Sequence, residues 1–409
     1  MKLLATLMRR FVTTGRLSII DHTGERHEFG PGGEPSATIR ITDPKLYRTL
    51  FFNPELHAGE AYMNGTLIVE EGGIRGFLEV FAQNRDGLRS GAVRQRIKKT
   101  KKRFRKLMQR NAREASAKNV EAHYDLSNDL YRLFLDEDMQ YSCAYWPEGD
   151  PEAPGVDTTL EQAQLAKKRH IAAKLRLEPG QRVLDIGCGW GGMSMHLARE
   201  HDVHVTGVTL SHDQHALALE RVAAAGLQDK VDIRLIDYRD VDGPFDRIVS
   251  VGMFEHVGVG HYLEFFSKIR ALLTDDGCAL VHSIGRKKGP GTTGKWIRKY
   301  IFPGGYSPAL SETFAEIEKS GLWTTDMEIL RLHYAWTLKQ WDTRFQAVRD
   351  QVVAMKSPEF ARMWEFYLVI SEFSFLYGNH MNFQIQLAKN VHALPPTRNY
   401  MMDGPELLA

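Results

Sequence analysis

The stretch Val183-Leu184-Asp185-Ile186-Gly187-Cys188-Gly189-Trp190-Gly191-Gly192 is an apolar run that breaks into glycines. That pattern predicts a strand feeding a tight turn, where the missing Cβ atoms let a ligand approach the backbone. The spacing Gly187, Gly189, Gly192 also satisfies the dinucleotide pattern G-x-G-x-x-G, which is weak by itself. Charge separates the ligands such a turn can serve. A carboxylate at Asp185 repels a pyrophosphate, whereas S-adenosylmethionine (SAM) carries a sulfonium and an ammonium that gain from one. A dehydrogenase of this type also needs an acid about 20 residues further on to hold a ribose. The next apolar run ends Gly207-Val208-Thr209 and has none. Asp185 therefore favours the methyl donor, with Gln214 and the backbone near Thr209 as candidate ribose partners.

Working outward, further apolar runs fall at 203–208, 231–235, 247–251 and 279–283, separated by helix-length segments. With 182–186 they predict a doubly wound parallel sheet, an α/β fold that binds ligands beyond the carboxyl ends of its strands. Beyond the third run, Asp237-Tyr238-Arg239-Asp240 offers an aromatic and polar groups to flank an adenine; a helix N-cap with a packed tyrosine is the plainer alternative. After Thr313 the chain reads as mainly helical and aromatic-rich. Toward the amino terminus, residues 17–84 alternate strand-like pieces (37–41, 66–69) with Gly and Pro, including a loop at 30–35, and predict a small α+β module. The expected domains are thus 1–84, a basic helical connector at 85–118, and 119–409.

The connector dominates the charge. Between Arg85 and Lys118 stand 14 Lys or Arg against two acids, a net +12, which leaves the rest of the chain about −10. Its apolar residues Val93, Ile97, Phe104, Leu107 and Met108 suit one helix face. A basic face of this kind favours anionic lipid headgroups or nucleic acid; a solvated inter-domain helix is the other reading. No run of about 18 apolar residues occurs. The apolar piece 3–8, followed by Arg9 and Arg10, lacks the cleavage site of a secretory signal and is read as retained. Three widely spaced cysteines, Cys143, Cys188 and Cys278, argue against a disulfide framework and for the cytoplasm.

Several strings taken together resemble the bacterial cyclopropane-fatty-acyl-phospholipid synthases and mycolic acid cyclopropane synthases. They are His123-Tyr124-Asp125-Leu126-Ser127, Gln140-Tyr141-Ser142-Cys143-Ala144-Tyr145-Trp146, the glycine turn, Ser250-Val251-Gly252-Met253-Phe254-Glu255-His256-Val257-Gly258, Val281-His282-Ser283-Ile284-Gly285, Lys299-Tyr300-Ile301-Phe302-Pro303 and residues 334–345. Together they span nearly all of 120–390. Gly59-Glu60-Ala61-Tyr62-Met63-Asn64-Gly65 resembles the extra amino-terminal domain of the phospholipid-acting enzymes.

The resemblance implies a class I SAM-methyltransferase fold, Rossmann-like and doubly wound, with a small amino-terminal α+β domain. It implies addition of a methylene from SAM across the cis double bond of an unsaturated acyl chain in membrane phospholipid, through a carbocation deprotonated by an active-site bicarbonate. It assigns the bicarbonate to Cys143, Glu255, His282 and Tyr334, with the Ile284 backbone assisting. It assigns the donor to Tyr141, Ser142, Asp185, Gly187, Gly189, Trp190, Gly191, Thr209, Leu210, Gln214, Tyr238 and Arg239. Taken singly, Cys143 reads as a small buried hydrophobe, His282 as a core histidine, Glu255 as a capping acid and Tyr334 as packing. Imidazole and phenol donate to anions, and a carboxylate accepts the bicarbonate hydroxyl. Tyr124, Phe254, Phe302, Phe366, Phe373 and Phe375 are candidates for an acyl channel or plain core.

Where family members often carry a late cysteine this chain has Ser371. The resemblance also implies a homodimer, and the basic segment predicts docking at the inner face of the membrane, on its anionic surface. No metal is expected. Nor is nucleic acid, because amine-methylation strings of the Asn-Pro-Pro-Tyr type are absent. Two other readings stay open: a fatty-acyl methyltransferase yielding methyl-branched or methylene products, and a lipid-binding module on an inactive methyltransferase fold.

Overall fold

The computed structural model describes residues 1–85 and 127–402. Apart from Arg85, the predicted basic connector lies outside these residues, as do Tyr124 and the string 123–126. The described chain forms two compact units.

The first unit takes in residues 1–85, Thr292–Phe302 and Leu338–Asn379, so it is larger than the expected 1–84 module. Its sheet has the order β2-β1-β3-β4, with β1 Gly15–Ile20, β2 Arg26–Gly32, β3 Ser36–Ile41 and β4 Leu67–Glu71. The loop expected at 30–35 is shorter than predicted, since β2 runs on to pair Gly32 with Gly15. Gly30 makes this possible: its φ is +96°, and a Cβ there would sit 2.3 Å from the Gly15 carbonyl oxygen. The helix Lys2–Phe11 buries Leu4, Ala5, Met8 and Phe11, an amphipathic spacing that places its apolar side in the core. The helix Gly73–Gln83 carries Arg75, which bridges Asp342 at 2.7 Å and Glu372 at 2.5 Å. Both carboxylates are buried, so this cation offsets two charges removed from water.

The second unit takes in residues 127–291, Pro303–Thr337 and 380–402. The five predicted strands form as β5 Arg182–Ile186, β6 His204–Thr209, β7 Val231–Leu235, β8 Phe245–Val251 and β9 Leu273–Arg286, joined by parallel pairing. Their runs of Val, Ile and Leu are buried on both faces, as a sheet covered by helices on each side requires. The end of the chain is mainly helical, as expected, but it also holds two strands that were not expected. These strands, β10 Trp323–Ile329 and β11 His380–Ala388, extend the sheet antiparallel beside β9, giving the order β10-β11-β9-β8-β5-β6-β7. The signal was in plain view: Asn382, Gln384 and Gln386 alternate with Phe383, Ile385 and Leu387, a period of two. All three cysteines are free and buried.

Candidate active site

The glycine turn leaves β5 as predicted. Gly187 has a φ of +83°, and a Cβ on it would come within 2.8 Å of the Met253 side chain, so only glycine fits without displacement. A cleft opens above the turn, at the carboxyl ends of the parallel strands.

Of the residues expected to hold the donor, Tyr141, Ser142, Asp185, Gly187, Gly189 and Trp190 line this cleft from the β5 side. Thr209, Leu210, Gln214, Tyr238 and Arg239 line it from the exits of β6 and β7. Gly191 is the exception: it is the N-cap of the helix Gly192–His201, at φ +80°, and does not line the cleft. Asp185 is buried and accepts a hydrogen bond from Ser194 Oγ at 2.7 Å. Burial lifts its carboxyl to about 6, against the pull of the Ser194 hydroxyl. Thr209 Oγ1 donates to Gln214 Oε1 at 3.1 Å, tying together the two candidate ribose partners. The capping reading of 237–240 describes its geometry, while Asp237, Tyr238 and Arg239 also line the cleft. Asp237 caps a short 3₁₀ turn and clamps the Arg239 guanidinium at 2.5 Å, while Tyr238 packs edge-on against Phe265.

The residues expected around a bicarbonate lie outside the cleft lining. Glu255 sits on the 3₁₀ turn Phe254–His256 after β8; its neighbour His256 lines the cleft. Glu255 Oε1 accepts the Ile284 N–H at 2.6 Å, while Oε2 is buried without a hydrogen-bond partner. Burial pushes this carboxyl up to about 7, although the Ile284 N–H opposes the shift. His282 lies inside β9. Both its ring nitrogens meet side-chain amides of β11: Asn382 at 3.0 Å and Gln384 at 3.1 Å. Cys143 is fully buried, its thiol held well above the ordinary range by burial, and Sγ donates to the Ala144 carbonyl at 3.3 Å. Its segment is laced to the helix His333–Ala347, which carries the buried Tyr334. Ala144 N–H donates to Thr337 Oγ1 at 3.1 Å and Trp146 N–H to His333 Nδ1 at 2.9 Å.

The structure thus pairs Glu255 with the Ile284 backbone directly. The Cys143 segment is bonded to the helix that carries Tyr334, and His282 to β11.

Several residues of this region were not foreseen. Lys167, on the helix Leu160–Leu175, has no exposed surface; its Nζ donates to Gln140 Oε1 at 2.6 Å and Ser142 Oγ at 2.8 Å. Burial lowers its ammonium to about 8. Gln164 donates from the same helix to the Gln140 and Ser142 carbonyls, so that the wall carrying Tyr141 and Ser142 is bonded to it. Polar residues recurring at 164, 167 and 174 within a buried helix were the available signal. Among the acyl-channel candidates, Phe254 belongs to the core, 4.4 Å from Tyr262 and 5.2 Å from Phe265. Phe302, Phe366, Phe373 and Phe375 belong to the first unit, where Phe366 packs 4.8 Å from Trp296.

The family described as mycolic acid cyclopropane synthetase matches residues 111–385. A Pseudomonas putida protein described as "Probable fatty acid methyltransferase" is 37% identical over 398 residues, covering 94% of this chain and 95% of that one. The cyclopropane-fatty-acyl-phospholipid synthase of Escherichia coli K12 is 39% identical over 340 residues, covering 82% and 84%. Among solved structures, mycolic acid cyclopropane synthase CmaA1 complexed with SAH and CTAB matches with a TM-score of 0.61 and 36% identity, covering 66% of this chain and 97% of that one. The match to this structure identifies the second unit's sheet as that of a class I SAM methyltransferase. With two thirds of its length inside the match, this chain is an enzyme of the mycolic acid cyclopropane synthetase family, built on the SAM-dependent methyltransferase fold.

Proposed function

We propose that the enzyme transfers a methylene from SAM to the cis double bond of an unsaturated acyl chain in membrane phospholipid, with bicarbonate as the base. The observation that carries the ring-closing part is Glu255: a buried carboxylate with one oxygen bonded to the backbone and the other matched by nothing, on a turn whose next residue lines the donor cleft. Support for the phospholipid substrate comes from the E. coli relative, which matches over most of both chains.

Attack of an alkene on a sulfonium methyl leaves a carbocation, and removal of a proton from the delivered methyl closes the ring. SAM supplies the methyl and bicarbonate the base when each is bound. Asp185 offers the charge opposite to a sulfonium and ammonium, and Gly187 lets the backbone come close. Gln214 and Thr209 offer polar groups to a ribose, and Tyr238 a ring to an adenine. Glu255 Oε2 accepts the hydroxyl hydrogen of an anion held beside it, which raises the basicity of that anion. The donors assigned to the same anion have internal partners: the Ile284 N–H is taken by Glu255, and the Cys143 thiol by Ala144. Anion binding must therefore exchange those bonds.

The same proposal has the enzyme act as a homodimer at the cytoplasmic face of the membrane, drawn to anionic lipid by the net +12 of residues 85–118. Binding to anionic vesicles should weaken as salt is raised, and salt-independent binding would refute that attraction. The decisive assay supplies the full-length enzyme with SAM and unsaturated phospholipid vesicles. The expected product gains one methylene and resists hydrogenation, with formation lost on stripping dissolved carbonate and restored by adding it back. Methyl-branched or methylene-substituted products alone would establish the second reading, which the P. putida relative's description favours.

A further inference from the structure

His282 is enclosed on all sides, and the groups that enclose it determine where its proton lies. β11 runs antiparallel to β9 with Gln384 opposite His282 and Asn382 opposite Ile284. Residues so paired share one face of the sheet. His282, Asn382 and Gln384 are each 1% exposed. Gln384 Nε2 lies 3.1 Å from His282 Nδ1, and Gln384 Oε1 accepts from Lys174 Nζ at 2.7 Å. Lys174 is itself buried on the helix Leu160–Leu175 and paired with Glu328 of β10, which also meets His170 at 2.6 Å.

An ammonium has hydrogens to give and no lone pair, so Lys174 admits only one orientation of the Gln384 amide: oxygen to the lysine, NH₂ to the imidazole. Nδ1 of His282 must then be the unprotonated nitrogen, and the ring hydrogen sits on Nε2. That hydrogen needs an acceptor. The nearest group is the Asn382 amide, whose Nδ2 stands 3.0 Å from Nε2 while its Oδ1 is buried with no partner. A half-turn of the carboxamide brings Oδ1 onto the Nε2–H and removes the unmatched oxygen.

We propose that Gln384, oriented by Lys174, is a positioning residue that holds His282 as the neutral Nε2–H tautomer, with the Asn382 carbonyl as its resting acceptor. Nε2–H is then the one hydrogen that His282 can present to an anion, and Asn382 must release it for that purpose. Charged and titratable groups acting on the ring come from two elements: Lys167, His170 and Lys174 on the helix, and Glu328 on β10. Burial foremost, with the two lysines acting in the same direction, lowers the imidazole to about 3, in keeping with a neutral ring. The assignment concerns the resting enzyme; its use in catalysis rests on the function proposed above.

Two-bond proton–nitrogen NMR of the full chain labelled with ¹⁵N-histidine reads the tautomer directly, with His282→Gln identifying the resonance. The expected result is a neutral Nε2–H ring that does not titrate between pH 5 and pH 8. A Nδ1–H or doubly protonated ring at neutral pH in the unsubstituted enzyme would overturn the proposal. Gln384→Glu offers Nδ1 an acceptor in place of a donor, so it should move the hydrogen to Nδ1 or charge the ring. It should also lower kcat at least about tenfold while KM for SAM changes less than about twofold. An unchanged tautomer in that variant would overturn the proposal as well. The spectrum is recorded without lipid, so a failure of ring formation with the expected tautomer would count against the proposed function alone.

Discussion

The donor cleft and the polar site around Glu255 lie at the same end of one sheet, and they are made by opposite means. The cleft is shaped by backbone: Gly187 at φ +83° and Gly189 at +56° hold a turn that is complete within a few consecutive residues. The polar site is shaped by side chains drawn from the turn after β8, from β9, β10 and β11, and from a helix more than 100 residues before His282, nearly all buried and most matched by another. A backbone site tolerates most changes in its neighbours but no added Cβ at its tightest point. A site made of buried polar groups depends on each partner, because a group left unmatched in low dielectric keeps its full desolvation cost.

Substitutions can test that contrast. Glu255→Gln should have the largest effect, cutting product formation about 10²- to 10⁴-fold, the range of a lost acid–base group, while SAM affinity by calorimetry stays within about twofold. Equal loss of both would merge the two sites into one. Next comes pH. In the ligand-free enzyme Glu255 keeps its proton up to about 7, whereas an unfolded glutamate loses it near about 4.3. Across that window the folded state holds the extra proton, so Glu255 makes stability fall as pH rises, by up to about 4 kcal/mol. The difference in urea unfolding between Glu255→Gln and the unsubstituted enzyme should show this dependence, and parallel curves would refute it.

Gly187→Ala combines a left-handed φ with a 2.8 Å clash and should cost about 1–3 kcal/mol, read as a roughly 5- to 150-fold weaker SAM affinity or as lost stability. The smallest effect is expected of Ser194→Ala. It removes the hydrogen bond that favours ionised Asp185, raises that pKa further and weakens SAM binding by about 1 kcal/mol.

The same contrast explains what could be read in the chain. The five parallel strands and the cleft residues were legible because a strand followed by a glycine turn is a local pattern, and its ligand-facing residues come just after each apolar run. Gly191 falls outside the cleft lining, and three glycines within five residues do not announce which of them caps the following helix. β10 and β11 were missed although β11 alternates with a clear period of two, since the aromatic-rich helix Pro358–Leu376 before it set the expectation for the whole end of the chain. Glu255, His282 and Ile284 were named through resemblance. Their spacing says nothing of the 2.6 Å bond between Glu255 and the Ile284 N–H.

By itself, then, the sequence determined a doubly wound α/β fold, a glycine turn beside an acid suited to a cationic donor, and a basic segment of net +12. These follow from periodicity, missing Cβ atoms and charge, all of which act over a few residues. Only the tertiary structure decided that the helices of 338–379 join the amino-terminal module, that Glu255 keeps an unmatched oxygen, and that Lys174 determines the orientation of the amide against His282. Those outcomes depend on which distant segments become neighbours when the sheet closes, and on the cost of burying charge there, and neither is written in the spacing of residues along the chain.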